Sequence, residues 1–154
     1  MTAFHLAQFN IGRFKKPPGH PEMAEFVALL DVVNALADAA PGFVWRYTTD
    51  GANDAIALRP YAGDDQIAIN MSVWQSREEL WEFVYRSGHL AALRRRQEWF
   101  TGLGEVYQVL WWIPAGHLPT VEEGMERLAL LRTNGPTAHA FTFRTPFEPG
   151  VTVS

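Results

Sequence analysis

The chain of 154 residues has no cysteine. That absence excludes disulfides, thiolate-held zinc, iron–sulfur clusters and thiol nucleophiles, and it fits a reducing cytoplasm. Positive charge is scarce as well. Its 13 Lys and Arg face 17 Asp and Glu, for a formal net charge of -4, whereas a grip on nucleic acid needs clustered excess cations. No nucleic-acid partner is expected. No stretch reaches the roughly 18 successive apolar residues of a membrane-spanning helix, and "MTAFHLAQFNIGRF" lacks the basic lead and unbroken apolar run of a secretory signal. The chain therefore reads as soluble, cytoplasmic and unprocessed, with no membrane partner. Its five histidines form no HExxH, H-x-H or facial-triad spacing, so no metal site is expected from local sequence. Walker A, GxGxxG and GxSxG patterns are absent, which removes the usual local signals of nucleotide, dinucleotide and hydrolase chemistry.

What the chain does have is aromatic weight. Six Trp and ten Phe stand in a sequence that is 47% hydrophobic, more ring surface than an ordinary core requires, so some rings should line a pocket or an interface. The length suits one core, and residues 1–154 are read as a single domain. "FHLAQFNI", Phe4 to Ile11, has apolar residues of both parities and predicts a strand buried on both sides. After the Pro-rich "KKPPGHPEM", Met23, Phe26, Val27, Leu30 and Val33 recur at helical spacing, from Pro21 to about Ala39. "GFVWRY" is a second strand, a polar loop follows it, and "IAINMSVW" alternates as a third. In that strand Ile67, Ile69, Met71 and Val73 share one face, and Ala68, Asn70, Ser72 and Trp74 the other.

Ser76 followed by Glu79 predicts a capping box and a helix with Leu80, Phe83 and Val84 inward, broken near "SGH" before "HLAALRRRQEWF". "EVYQVLWWI" is a fourth strand, in which Trp111 and Trp112 must point to opposite faces, one toward a helix and the other toward a dimer interface. Thr120 and Glu123 form a second capping box that starts a helix to about Arg132, and "AHAFTFRTPF" is expected as a fifth strand. The order β-α-β-β-α-β, with an extra α-β, is an α+β fold: a ferredoxin-like antiparallel sheet with helices on one face plus a C-terminal helix and strand. The other sheet face is apolar too and must be covered, for which a second copy of the chain is the simplest candidate.

The segments "NMSVWQSREELWEFVYRSGH", "GFVWR", "RRRQEWF" and "LWWIPAGHLPT…EEGMERLALLRTNGPTAHAFTF" resemble a bacterial family of unknown function in the dimeric α+β barrel superfamily, the group of antibiotic-biosynthesis-monooxygenase-like proteins. The resemblance covers nearly the whole chain and implies two ferredoxin-like protomers packed sheet to sheet. The superfamily includes cofactor-free quinol or polyketide monooxygenases, haem-degrading enzymes, lactone isomerases and non-catalytic members, so fold alone does not select an activity. Haem-degrading members use an Asn in the first strand, a Trp in this helix and a His farther along it. Here Asn10 matches, but Phe83 stands at the Trp position and His89 comes about a turn early. Haem is therefore disfavoured, and no cofactor is expected.

Three candidate catalytic residues emerge: His89, Asn10 and Arg46. A neutral imidazole at His89 suits a general base or a metal ligand; the alternative is a histidine that finishes a helix by bonding a free carbonyl. Arg46, in an aromatic strand, needs a carboxylate or a ligand anion, and Glu79 or Glu82 would serve for a structural ion pair. Asn70, Ser72 and Trp74 share a face that could orient a phenol or enol oxygen, or else pair with each other or with Gln8 and Asn10 across the sheet. Trp81 and Phe83 complete the candidate substrate lining, although Trp81, like Trp99, Trp111 and Trp112, belongs to a residue type more often found in cores. Arg94, Arg95 and Arg96 read as a solvated helix face. Two functions fit: an enzyme on a small aromatic or polyketide-like molecule, beginning with proton abstraction, or a non-catalytic homodimer that binds a metabolite.

Overall fold

The computed structural model describes residues 3–16, 20–47, 67–86, 95–102 and 104–149. Five strands, β1 (Phe4–Phe14), β2 (Phe43–Arg46), β3 (Ile67–Trp74), β4 (Phe100–Thr101) and β5 (Gln108–Pro114), form one antiparallel sheet. β1 is central: β3 pairs along one side of it, β5 and then β4 along the other, and β2 borders β3. The main order β5-β1-β3-β2 is that of the ferredoxin-like fold. β1 runs on to Phe14 rather than ending at Ile11, because Arg13 and Phe14 find partners in Thr101 and Phe100.

The helices begin where side chains can satisfy free amide donors. Ahead of α1 (Ala24–Asp38), His20 Nδ1 accepts the Glu22 N–H at 3.1 Å and Pro21 opens a short 3₁₀ turn. At the start of α2 (Arg77–Arg86), Ser76 Oγ accepts the Glu79 N–H at 3.2 Å and donates to Glu79 Oε1 at 3.1 Å. The carboxylate thus binds the serine hydroxyl instead of its backbone N–H, a tighter variant of the expected capping box. α3 (Arg96–Trp99) is a single turn. Before α4 (Val121–Asn134), Thr120 Oγ1 accepts the Glu123 N–H at 3.1 Å, and Gly135, at φ 74°, ends the helix by donating to Leu131 O.

The two sheet faces differ. The face with Leu6, Trp74 and Leu110 packs under Val33 and Ala37 of α1 and Leu80, Phe83 and Val84 of α2. Phe14 extends this layer through Met23, Phe26 and Trp99; the side chains of Val27 and Leu30 lie outside the described set. The opposite face carries Ala7, Phe9, Ile11, Ile67, Ile69, Met71, Val73, Val109, Trp111 and Ile113, clustered with Leu128 and Leu131 of α4. Gly124 is the point of closest approach, since a Cβ there would sit 2.4 Å from the Phe9 ring.

This arrangement corrects the physical argument for a second copy of the chain. The extra helix, α4, lies on the second face, and every apolar residue of that face in β1, β3 and β5 is at most 2% exposed within one chain. Trp111 is fully buried under α4, and Trp112, half-buried, packs with Phe141 and Phe147 of the same chain. The C-terminal segment also differs from expectation. Instead of a full strand over 138–147, Phe141 alone bridges Leu110, exchanging two backbone hydrogen bonds of 2.9 Å. Beyond it Phe143 packs edge-on against Tyr85, and Trp112 Nε1 donates to Phe147 O at 2.7 Å, so side-chain contacts replace a ladder.

Candidate functional site

Alternation along β1 and β3 brings four polar side chains into one row on the face that carries α1 and α2. The register pairs Gln8 with Ser72 and Asn10 with Asn70, while Leu6 and Trp74 form the next row. Directly opposed residues share a face, so register alone assembles the set. Gln8 Nε2 donates to Asn70 Oδ1 at 2.5 Å and to Ser72 Oγ at 2.9 Å. Asn10 Nδ2 donates to Gln8 Oε1 at 2.9 Å and, more weakly, to Asn70 Oδ1 at 3.4 Å. Trp74 Nε1 donates to Ser72 Oγ at 2.9 Å. Gln8 and Ser72 are buried, Asn10 is half-buried and Asn70 is exposed, so the row runs from a sealed end at Trp74 to an open end at Asn70. A buried amide is tolerated only when its donors and acceptors are met, which this chain of bonds achieves for Gln8.

The candidate residues divide accordingly. Asn10, Asn70 and Ser72 come together as one network, with Gln8 as its hub. The sequence marked Gln8 only as a cross-strand partner, because a single glutamine in a strand carries no local signal of being a hub. Trp74 joins the network through its N–H, but its ring is buried, stacked on Phe83 at 5.1 Å and edge-on to Phe43 at 5.5 Å. It is a wall of the site and not a platform for a ligand ring; Phe83 is part of the same packing. Trp81 points outward: it is 38% exposed, 5.1 Å from the Tyr85 ring, with Arg86 5.5 Å above it. A place in the substrate lining does not fit that position.

Arg46 is partly buried and opposite Ser72 in the neighbouring strand. Among the described residues its carboxylate partner is Asp38 at the end of α1, with Nε donating to Oδ1 at 2.7 Å and Nη2 to Oδ2 at 3.2 Å, and not Glu79 or Glu82. The fork geometry matches a carboxylate at two points and ties β2 to α1. Glu79 instead packs at Gly42 and caps α2, while Glu82 pairs with Arg86. Of the arginine run, Arg95 pairs with Glu25 and Glu98 and lies over Trp99. These carboxylates raise the Arg95 pKa, and Arg95 in turn holds the Glu98 carboxyl below its ordinary range. His89 and Arg94 lie outside the described residues.

A second polar group stands at the α4 end of the other face. Glu123 accepts Trp111 Nε1–H at 2.9 Å and pairs with His117 Nε2 at 2.8 Å. Glu123 thus turns away from the Thr120 backbone that a full capping box would use. Among the described residues, no three His, Asp or Glu side chains group to hold a metal ion, and no helix is long and apolar enough to cross a membrane. An open cavity of about 330 Å³ lies at the start of α2, lined by Phe4, Ser76, Arg77, Trp112 and Glu148 among others.

Comparison with solved structures finds the chain similar to the cofactor-independent oxygenase SnoaB from Streptomyces nogalater, at 17% identity and a TM-score of 0.49, covering 75% of this chain and 97% of that one. It is also similar to NE2512, a protein of unknown function from Nitrosomonas europaea, at 14% identity and a TM-score of 0.48, covering 78% and 99%. A third likeness is PA3566 from Pseudomonas aeruginosa, at 15% identity and a TM-score of 0.43, covering 77% and 97%. No curated protein matches the sequence. Residues 5–153 match the family described as "Domain of unknown function (DUF3291)", and the chain belongs to that family.

Proposed function

We propose that the protein acts on a small conjugated molecule bearing a carbonyl, enol or phenol oxygen, in a monooxygenase-like reaction without a cofactor. The observation that carries this reading is the polar row Gln8–Asn10–Asn70–Ser72, bordered by Leu6, Leu110 and Trp74 on the same sheet face and open at Asn70. Apolar residues at those positions would pack at least as well, so a use for the polar atoms is the simplest reason to have them. In this reading His89 removes a proton from carbon beside the conjugated system, and Asn70 Nδ2 donates to the oxygen on which negative charge develops, with Asn10 and Gln8 holding the Asn70 carbonyl from within. Dioxygen then converts an activated CH₂ to C=O, with the second oxygen atom and both hydrogens leaving as water. The role of His89 is carried by its place in the sequence, just after α2.

The alternative is a metabolite-binding protein without catalysis. It is favoured by the engagement of Arg46 with Asp38 and by the burial of Trp74, which withdraw two expected ligand contacts. A homodimer remains part of the proposal on the strength of the family resemblance; light scattering at micromolar concentration decides it. The absence of cysteine supports cytoplasmic placement.

Oxygen uptake with a panel of phenols and polycyclic aromatic ketones tests the reaction. His89→Ala and Asn70→Ala should each lower turnover by about 100-fold, the usual worth of a general base or an oxyanion donor. Binding with no uptake by the unmodified protein would leave the non-catalytic reading.

A further inference from the structure

We propose that Gln8, itself out of a ligand's reach, is the positioning residue that sets the hydrogen-bond polarity of the site, so that Asn70 presents donors only. The proposal deepens the functional reading above and rests on Asn70 as the ligand-facing group. Both Gln8 N–H groups are committed, one to Asn70 Oδ1 and one to Ser72 Oγ, and its Oε1 accepts from Asn10. Ser72 Oγ also accepts from Trp74 Nε1, and an indole nitrogen can only donate. A serine hydroxyl can accept from Trp74 and still donate, so the direction of the row is carried by the Gln8 amide itself: its Nε2 lies toward Asn70 and Ser72, and its Oε1 toward Asn10. The Asn70 carbonyl is drawn inward by Gln8 and Asn10. The exposed end of the row is then the Asn70 Nδ2 group, for which no acceptor stands among the described residues. A ligand atom that meets Asn70 therefore meets N–H donors with the carbonyl turned away, a contact that favours an anionic or carbonyl oxygen over an amine of the same shape.

Glutamate at position 8 would reverse this order. An ionised carboxylate only accepts, so Asn70 must turn its Nδ2 inward to meet it, and its Oδ1 then faces the ligand. Two readouts follow, and neither needs turnover. In the unmodified protein, the Gln8 side-chain amide protons should exchange slowly with solvent and those of Asn70 quickly; in Gln8→Glu the Asn70 pair should become protected. Binding of para-nitrophenolate and para-nitroaniline, read by absorbance, should favour the phenolate about 10-fold or more in the unmodified protein and lose that preference in Gln8→Glu. Because Gln8 is buried, Asn70→Asp is the companion variant: Gln8 still binds one carboxylate oxygen while the other faces outward as an acceptor. It should keep its melting temperature and lose phenolate binding about 10-fold or more. These results, even without oxygen uptake, support Gln8 as the positioning residue and count only against the oxygenase reading. Protected Asn70 amide protons in the unmodified protein, absence of a phenolate preference there, or undiminished phenolate binding by Asn70→Asp would overturn the proposal, whatever the turnover.

Discussion

The two faces of β1 and β3 are built from alternate residues of the same two strands, yet they solve different problems. On the α4 side, Ala7, Phe9, Ile11, Ile69, Met71 and Val73 pack against one another with no polar interruption. On the α1–α2 side, Gln8, Asn10, Asn70 and Ser72 interrupt the apolar rows and bond to each other. The first face obtains stability from area removed from water; the second gives up part of that area to hold polar atoms in fixed directions. A difference this sharp between adjacent residues separates a face selected for packing from one on which function can be sited.

The comparison is broken most directly at its apolar pole. Phe9→Ala should cost about 3–5 kcal/mol, since it opens a cavity under α4 where little can collapse. A change in the urea midpoint worth less than about 1 kcal/mol would mean that the second face is not a close-packed core. By contrast, Asn70→Ala should cost less, about 1–3 kcal/mol, because it leaves a buried Gln8 N–H without its acceptor, and it should also weaken binding.

A smaller effect sharpens the same contrast. Gly124→Ala places a Cβ against the Phe9 ring, and the resulting strain should cost about 1–3 kcal/mol. Phe9→Leu in the same chain should recover part of it, because contacting residues do not add independently. Ser76→Ala removes a cap beside the polar face and should cost about 1 kcal/mol without changing the fold; thermal melts of the two proteins check it.

The smallest effect lies outside both faces. Arg95 holds the exposed Glu98 carboxyl below its ordinary pKa, so the pair's contribution is present above the unfolded-state pKa of Glu98 and lost as pH falls through the folded value. Salt should weaken it. Arg95→Ala should move the Glu98 midpoint upward in an NMR titration; an unmoved midpoint would remove the pair from the account.

Residues whose environment is set by local geometry were legible before the fold. Period-two alternation in "IAINMSVW" assigned Met71 and Val73 to one face and Asn70, Ser72 and Trp74 to the other, and the structure keeps that division. Ser76 and Thr120 were readable as caps because the bond closes within one turn of chain. The partner of Arg46 was not readable: Glu79 and Glu82 were reasonable carboxylates, but which one lies within reach depends on how α1 ends over β2. The C-terminal segment had strand composition, yet strand formation needs a partner edge over several residues, and only Leu110 and Phe141 meet.

The sequence by itself determined parity, helix starts and the chemical types available on each face, because those follow from a backbone repeat and bonds spanning a few residues. Only the tertiary structure decided that α4 closes the second face, that Trp74 is a wall, that Trp81 faces outward and that Gln8 joins Asn10, Asn70 and Ser72. Each of those depends on register and packing between residues far apart in the chain. The energy that selects among such pairings belongs to the whole fold and has no local signature.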